Sequence, residues 1–340
     1  MNLKNKKLIC LILISVMLVG LLAGCGQKST DNQQQTNNSG EKVVITMPTF
    51  SGYAPLILAK EKGFFEKHGV NVDLQIIEGL GERKQALAAN QVQGMATALD
   101  VNATLAAADI PMQVVWMFDD SYGGDGLLVK KEIKSLEDLK GKKVALEVGT
   151  TSHFFFLTLL KEANVDPSEI TIVDMRSGDA GAAFVAGQVD GAVTWQPWLS
   201  KGVEEGNGTL LVTSKDTPGV VSDALNLRKD LIDAKPEVAQ GIVNALAEAM
   251  QYWKDNKEEA DQIIAKGLNL SVEDFVATVG DLKFYDAEAN KEFLGTSEKL
   301  GPIADMFNKA VEFYYNEKII DKKPEASQFV NPTFVNNISF

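Results

Sequence analysis

Cysteine is nearly absent from this chain: Cys10 and Cys25 are its only two, and Cys10 lies inside the apolar stretch at the start. A mature chain keeping Cys25 alone has no partner for a disulfide and no cysteine set for a metal. Histidine is as scarce, and two residues as distant as His68 and His153 do not make a metal site. No nucleophile elbow, GxGxxG fingerprint, Walker loop or HExxH helix is present. Ser152 beside His153 is no acyl-transfer pair, since adjacent residues on a helix do not face each other. These absences argue against an enzyme, a cofactor and a bound metal. Positive charge is short as well: the net charge is -13, and removing Lys4, Lys6 and Lys7 of the leader brings it to about -16 by subtraction. An acidic surface argues against nucleic acid and against adhesion to anionic lipid, while saying little about what a cleft binds.

Those three lysines precede an apolar run, Leu8 to Leu22, that ends in Leu22-Ala23-Gly24-Cys25. The run is short for a membrane span, and small residues just before a cysteine mark a processing site. The stretch resembles a bacterial lipoprotein signal peptide with its lipobox, which implies cleavage before Cys25 and diacylglyceryl attachment to its sulfur. Residues 26–42 carry no aliphatic or aromatic side chain and cannot bury enough apolar surface to order themselves. The expected layout is a signal peptide at 1–24, a lipidated Cys25 with a tether to residue 42, and a folded protein outside the cytoplasmic membrane, held to it by the N-terminal lipid.

About 300 residues remain, more than one ordinary core, which suggests two lobes. Strand patterns at Lys42–Met47, Val70–Ile77 and Gly94–Thr97 alternate with helical patterns, and a second series begins at Lys143. The two series share letters: ALAANQVQGMATA from Ala86 and AFVAGQVDGAVTW from Ala183 agree at six of thirteen positions. This reads as a structural repeat in an α/β protein, each lobe a mixed sheet flanked by helices, with the ligand cleft between them. After Thr213 a turn-rich crossing leads to a strand at Ala224–Leu227 and then to helices only. The expected division is 43–129 plus 216–340 for the first lobe and 130–215 for the second.

In open parallel sheets ligands sit beyond the carboxyl ends of the strands, and the unusual side chains collect there. Val144, Leu146 and Val148 read as a strand, followed by the loop Gly149, Thr150, Thr151, Ser152, His153 and an apolar helix from Phe154. A helix start offers unpaired N–H groups to an anion, although Thr151 or Ser152 can equally be a plain N-cap. Trp195, Gln196 and Trp198 follow a second-lobe strand, and Trp116 and Phe118 end a first-lobe strand. Such aromatic walls suit a small-ligand pocket, packing being the alternative. Asp119 and Asp120 open an acidic loop that either meets a ligand amine or forms a solvated turn; calcium is disfavoured because the final Glu of an EF-hand is missing. Asp100 joins this candidate set.

Tyr53-Ala54-Pro55-Leu56 with Gly63-Phe64-Phe65, the run Asp138 to Ala145, and Asp190 to Ser200 together resemble the substrate-binding proteins of ABC importers. The chain is most similar to the nitrate, taurine and alkanesulfonate group, which also includes binders of thiamine-pyrimidine precursors. The resemblance runs from Val43 to about Phe334. It implies a hinge-closing periplasmic-binding-protein fold of type II with two crossing strands, a membrane permease and a cytoplasmic ATPase as partners, and a monomer. The family's Gly-Thr/Ser-Thr-Ser-His loop falls on Gly149 to His153, its ligand-facing helix start on Ser51, Gly52 and Tyr53, and its tryptophan strand end on Trp195. The cysteine-rich motif of the related pyrimidine-synthesising enzymes is missing. Apart from Arg83 and Arg176 no arginine falls in the expected loops, which is at odds with a simple inorganic anion. The expected ligand is a small sulfonate-type anion or zwitterion, its sulfonate on Thr150 to His153, its alkyl part between Trp195 and Tyr53, and an amine on Asp119 or Asp120. The alternatives are a neutral or cationic heterocycle stacked on Trp195, or, from another class, a surface enzyme or adhesive lipoprotein.

Overall fold

The computed structural model describes residues 42–340, so the leader, Cys25 and the tether before residue 42 lie outside the described residues. In chain order the strands are β1 (Lys42–Met47), β2 (Asn71–Ile76), β3 (Gly94–Ala98), β4 (Met112–Ser121), β5 (Asp125–Lys130), β6 (Lys143–Leu146), β7 (Thr171–Asp174), β8 (Gly191–Trp195), β9 (Gly208–Thr213), β10 (Ser222–Arg228) and β11 (Leu282–Phe284). They form two sheets, ordered β11-β4-β10-β3-β1-β2 and β7-β6-β8-β5-β9. In the first, β1 runs parallel to β2 and β3 while β10 is antiparallel to β3 and β4. The second repeats the plan, with β6 parallel to β7 and β8, and β5 antiparallel to β8 and β9. In both, the strand that has just crossed from the other lobe runs antiparallel to its two neighbours, and in the first sheet β11 is antiparallel to β4 as well.

The repeat read from the letters is a repeat in space. Helices Leu80–Ala88 and Ser177–Val185, and the strands β3 and β8 that follow them, stand at one constant sequence offset. The turn between helix and strand takes a left-handed residue at the same repeat position, Asn90 (φ 55°) in one and Gly187 (φ 71°) in the other. Both residue types tolerate that conformation at little cost.

Two connections join the lobes, β4 to β5 and β9 to β10. Ser214, fully buried, ties them together: its Oγ shares a 2.7 Å hydrogen bond with Ser121 Oγ and accepts from the Gly123 amide at 2.8 Å. The Ser214 amide donates to the Asp125 carbonyl at 2.8 Å. Each lobe has its own apolar interior; the larger includes Trp116, Phe118 and Phe65, the smaller Phe155, Phe156 and Leu160. Helix Pro236–Asp255, with proline in its first turn, and the C-terminal helices pack on the first lobe.

Three local readings change. The strand at Gly126–Val129, expected to close the first lobe, pairs in the second sheet as β5. Asp119 and Asp120 are not in a loop but extend β4 opposite β10. Val148 lies beyond the end of β6 and is 47% exposed, its amide held by Asp174 Oδ1 at 2.9 Å rather than by a neighbouring strand.

Candidate functional site

Between the lobes lies a cavity of about 50 Å³, walled by aromatics, one guanidinium and three carboxylates. The first-lobe turn after β1 supplies Phe50 and Tyr53, the end of β8 supplies Trp195, and the Phe50 ring meets Tyr53 and Trp195 edge to face at 5.4 and 6.4 Å. Pro55, in the first turn of helix Ala54–Glu61, turns the chain just after Tyr53. Arg83 enters from helix Leu80–Ala88, is buried, and donates from Nη1 to the Ala96 carbonyl at 2.9 Å, leaving its Nε without a partner. Burial lowers the pKa of this guanidinium, and the carboxylates around it work against that shift.

The carboxylates are Asp125 at the start of β5, Asp223 in β10 and Glu147 after β6. Asp223 Oδ1 accepts from the Tyr53 hydroxyl. Removal from water favours the neutral acid, so burial pushes Asp125 up to about 6 and Asp223 up to about 8. Asp119 faces Asp223 in strand register, is fully buried, and has no partner on either carboxylate oxygen. Burial raises its pKa well above the ordinary range, and repulsion from Asp223, Asp125 and Asp120 adds to the shift. Glu147 accepts from the Leu80 amide at 3.4 Å and from the Ser177 amide at 3.3 Å, touching one helix start in each lobe.

Of the residues singled out in the sequence, Tyr53, Thr150, Thr151 and Trp195 line this cavity. The others stand around it. Ser51 Oγ bonds Thr278 Oγ1 at 2.7 Å, and Gly52 gives Asp119 the space a Cβ would fill. Phe118 supports the Tyr53 ring from below, 5.4 Å away edge to face. Asp120 is engaged by the hydroxyls of Ser222 and Tyr285. Asp100 accepts from Tyr314 at 2.5 Å in its own lobe and from Thr151 at 2.8 Å across the cleft. Ser152 shares a hydrogen bond with Ser177 Oγ at 3.1 Å. His153 accepts from the Gly149 amide at 3.2 Å through Nδ1, and burial lowers its pKa. Gln196 donates to Asp281 Oδ2 at 3.2 Å. Trp198 packs over Gly181 with Lys201 above its ring, and Trp116 is wholly interior.

Sequence reasoning missed Phe50, Glu147 and Asp223; Arg83 was noted only as one of two loop arginines, and Asp125 only as the end of the acidic stretch that opens at Asp119. Among the described residues no group of His, Cys, Asp or Glu is arranged to hold a metal ion, and no helix is long and apolar enough to cross a membrane.

Comparison with known proteins places these features in context. The model of the NMT1-like family matches residues 38–269. A Bacillus subtilis (strain 168) protein named for aliphatic sulfonates binding is 24% identical over 335 residues, 95% of each chain. The taurine-binding periplasmic protein of Escherichia coli (strain K12) is 27% identical over 222 residues, covering 64% of this chain and 69% of that one. The alkanesulfonate-binding protein SsuA from Xanthomonas axonopodis pv. citri, solved with MOPS bound, superposes with a TM-score of 0.72 at 18% identity, over 86% of this chain and 98% of its own.

Proposed function

Because the chain belongs to the NMT1-like family, we propose that it is the extracytoplasmic solute-binding component of an ABC importer. It closes around a small sulfonate-type anion or zwitterion of the taurine and alkanesulfonate class and hands it to a membrane permease driven by a cytoplasmic ATPase. The observation that carries this reading is the cavity itself: aromatic walls from both lobes, one buried arginine and a few converging polar groups, beside two crossing connections that can act as a hinge. Arg83 and the first turn of helix Thr151–Glu162 would face the sulfonate, Trp195, Tyr53 and Phe50 the alkyl part, and Asp125 and Asp223 an amine. Hinge closure would then complete the wall around a ligand bound first by one lobe. The protein acts as a monomeric receptor without chemistry of its own, anchored by a lipid on Cys25. The names of the sulfonate- and taurine-binding relatives support this class of ligand.

A second reading, a binder of an amine or a pyrimidine-type precursor, is favoured by the excess of carboxylate over arginine on the cavity wall. A thermal-shift screen of the mature protein separates the two. A ligand that binds only the folded state stabilises it by about 2.7 kcal/mol at a hundred times Kd, a rise of roughly 4 °C for a chain of this size. Taurine or an alkanesulfonate is expected to give that rise. A rise with aminopyrimidines and quaternary amines alone would replace the first reading by the second, and no rise with any of them would remove both.

A further inference from the structure

Most of the donors that a bare anion would seek at this cavity are already engaged by the chain's own groups. Leu80 and Ser177 are the first residues of the two repeat-equivalent helices, and both amides point at the single carboxylate of Glu147. Each repeat therefore turns one helix start toward the cleft, and one internal anion satisfies both. The Thr151 hydroxyl is given to Asp100 and the Thr150 hydroxyl to the Glu147 carbonyl. Arg83 remains as the one cation on the wall, with Nη1 taken by the Ala96 carbonyl and Nε its one buried nitrogen without a partner, a single donor against several free acceptors.

Acceptors, by contrast, are in surplus. Asp125 is more than nine-tenths buried on the wall, and its Oδ2 has no partner. Asp223 shares the wall, and behind it Asp119 holds two further unpartnered oxygens. Buried acceptors without donors cost free energy until something supplies N–H groups. An incoming anion would add to the repulsion, while a cation would remove it.

We infer that the cavity selects a ligand carrying a cationic nitrogen with at least two N–H donors, an ammonium or amidinium-type group held by Asp125 and Asp223, and that a bare sulfonate, nitrate or other simple anion is not its cargo. The inference rests on the importer reading and narrows its ligand class, retaining the zwitterion. The charged and titratable groups around the two carboxylates are Tyr53, Arg83, Asp100 and Asp119, with Glu147 on the same wall. Asp223, pushed up to about 8 by burial, holds a proton that an arriving cation displaces, so capture at neutral pH releases protons to the buffer.

The test is calorimetric titration of the mature protein with taurine, with ethanesulfonate as its counterpart lacking the amine, and with acetamidinium, each in two buffers of different ionisation enthalpy. Taurine is expected to bind about 10- to 100-fold more tightly than ethanesulfonate, the range of a hydrogen-bonded charge, and to release protons. Asp223→Asn should erase most of that preference. Glu147→Gln removes the internal anion and should raise the affinity for ethanesulfonate roughly tenfold, a gain that loss of a merely structural contact would not produce. Ethanesulfonate binding as tightly as taurine, without proton release, overturns the inference and leaves the importer reading standing. Binding of acetamidinium but not taurine supports it and moves the ligand to the purely cationic class. Silence from all three probes counts against the parent reading and this one together.

Discussion

Asp223 carries the sharpest consequence at the scale of single residues. Its carboxyl is pushed up to about 8 by burial, whereas an unfolded aspartate titrates near pH ~3.9. Between about pH 4 and 8 the folded state therefore holds a proton that the unfolded state has lost, and stability falls as pH rises through that window. Asp223→Asn keeps an acceptor for the Tyr53 hydroxyl and removes the titrating group. Its ligand-free melting temperature should exceed that of the parent at pH 8, by roughly 1–3 kcal/mol of stability, with the difference shrinking toward pH 5. Melting curves across that range check this, and parallel pH profiles for both proteins would contradict it. The same residue shows why the site was only partly legible. Tyr53 and Trp195 stand at strand ends beside turn residues and announce themselves. Asp223, Asp125 and Arg83 lie in β10, β5 and a helix whose local sequences are ordinary, and only the crossing of chains between lobes brings them to one cavity.

At the scale of elements, helix Thr151–Glu162 takes Thr150 as its N-cap with no side-chain capping bond, and the Thr151 and Ser152 hydroxyls that could have capped it are turned elsewhere. Its first residue donates across the cleft to Asp100, while Phe154, at the end of its first turn, meets the rings of Phe313 and Tyr314 at 4.7 and 5.5 Å. Thr151→Val deletes the cross-cleft bond and spares the Tyr314–Asp100 pair. Ligand affinity should fall about 2- to 12-fold, the worth of one hydrogen bond, with little change in the ligand-free melting temperature. Titration beside melting checks this, and an equal loss in both would make Thr151 a plain structural contact. The element order was largely readable because the hydrophobic period and the repeated letters agree from Ala86 to Ala98 and from Ala183 to Trp195. Membership of β5 was not readable, since a strand next to a crossing looks the same whichever sheet it joins. The acidic pair at Asp119 and Asp120 misled for a related reason: charged residues suggest a loop, but here they continue a central strand and find their partners, or lack them, inside.

For the whole molecule, the strongest expectation concerns where it is held. If Cys25 carries the lipid, Cys25→Ala should move the protein from the membrane fraction to the soluble fraction and abolish incorporation of labelled fatty acid, without altering ligand affinity. Membrane retention of that variant would remove the anchor from the account. With that anchor in place, the acidic net charge of -13 would keep the protein from adhering to anionic lipid close by. Ser214 bears on how it can move. One side chain fastens both connections between the lobes, meeting Ser121 and Gly123 on one crossing from its place on the other. A clasp at that place ties the two crossings into one short band, so an opening of the lobes that bends there would have to carry both together, and a pair of labels, one on each lobe, would follow it.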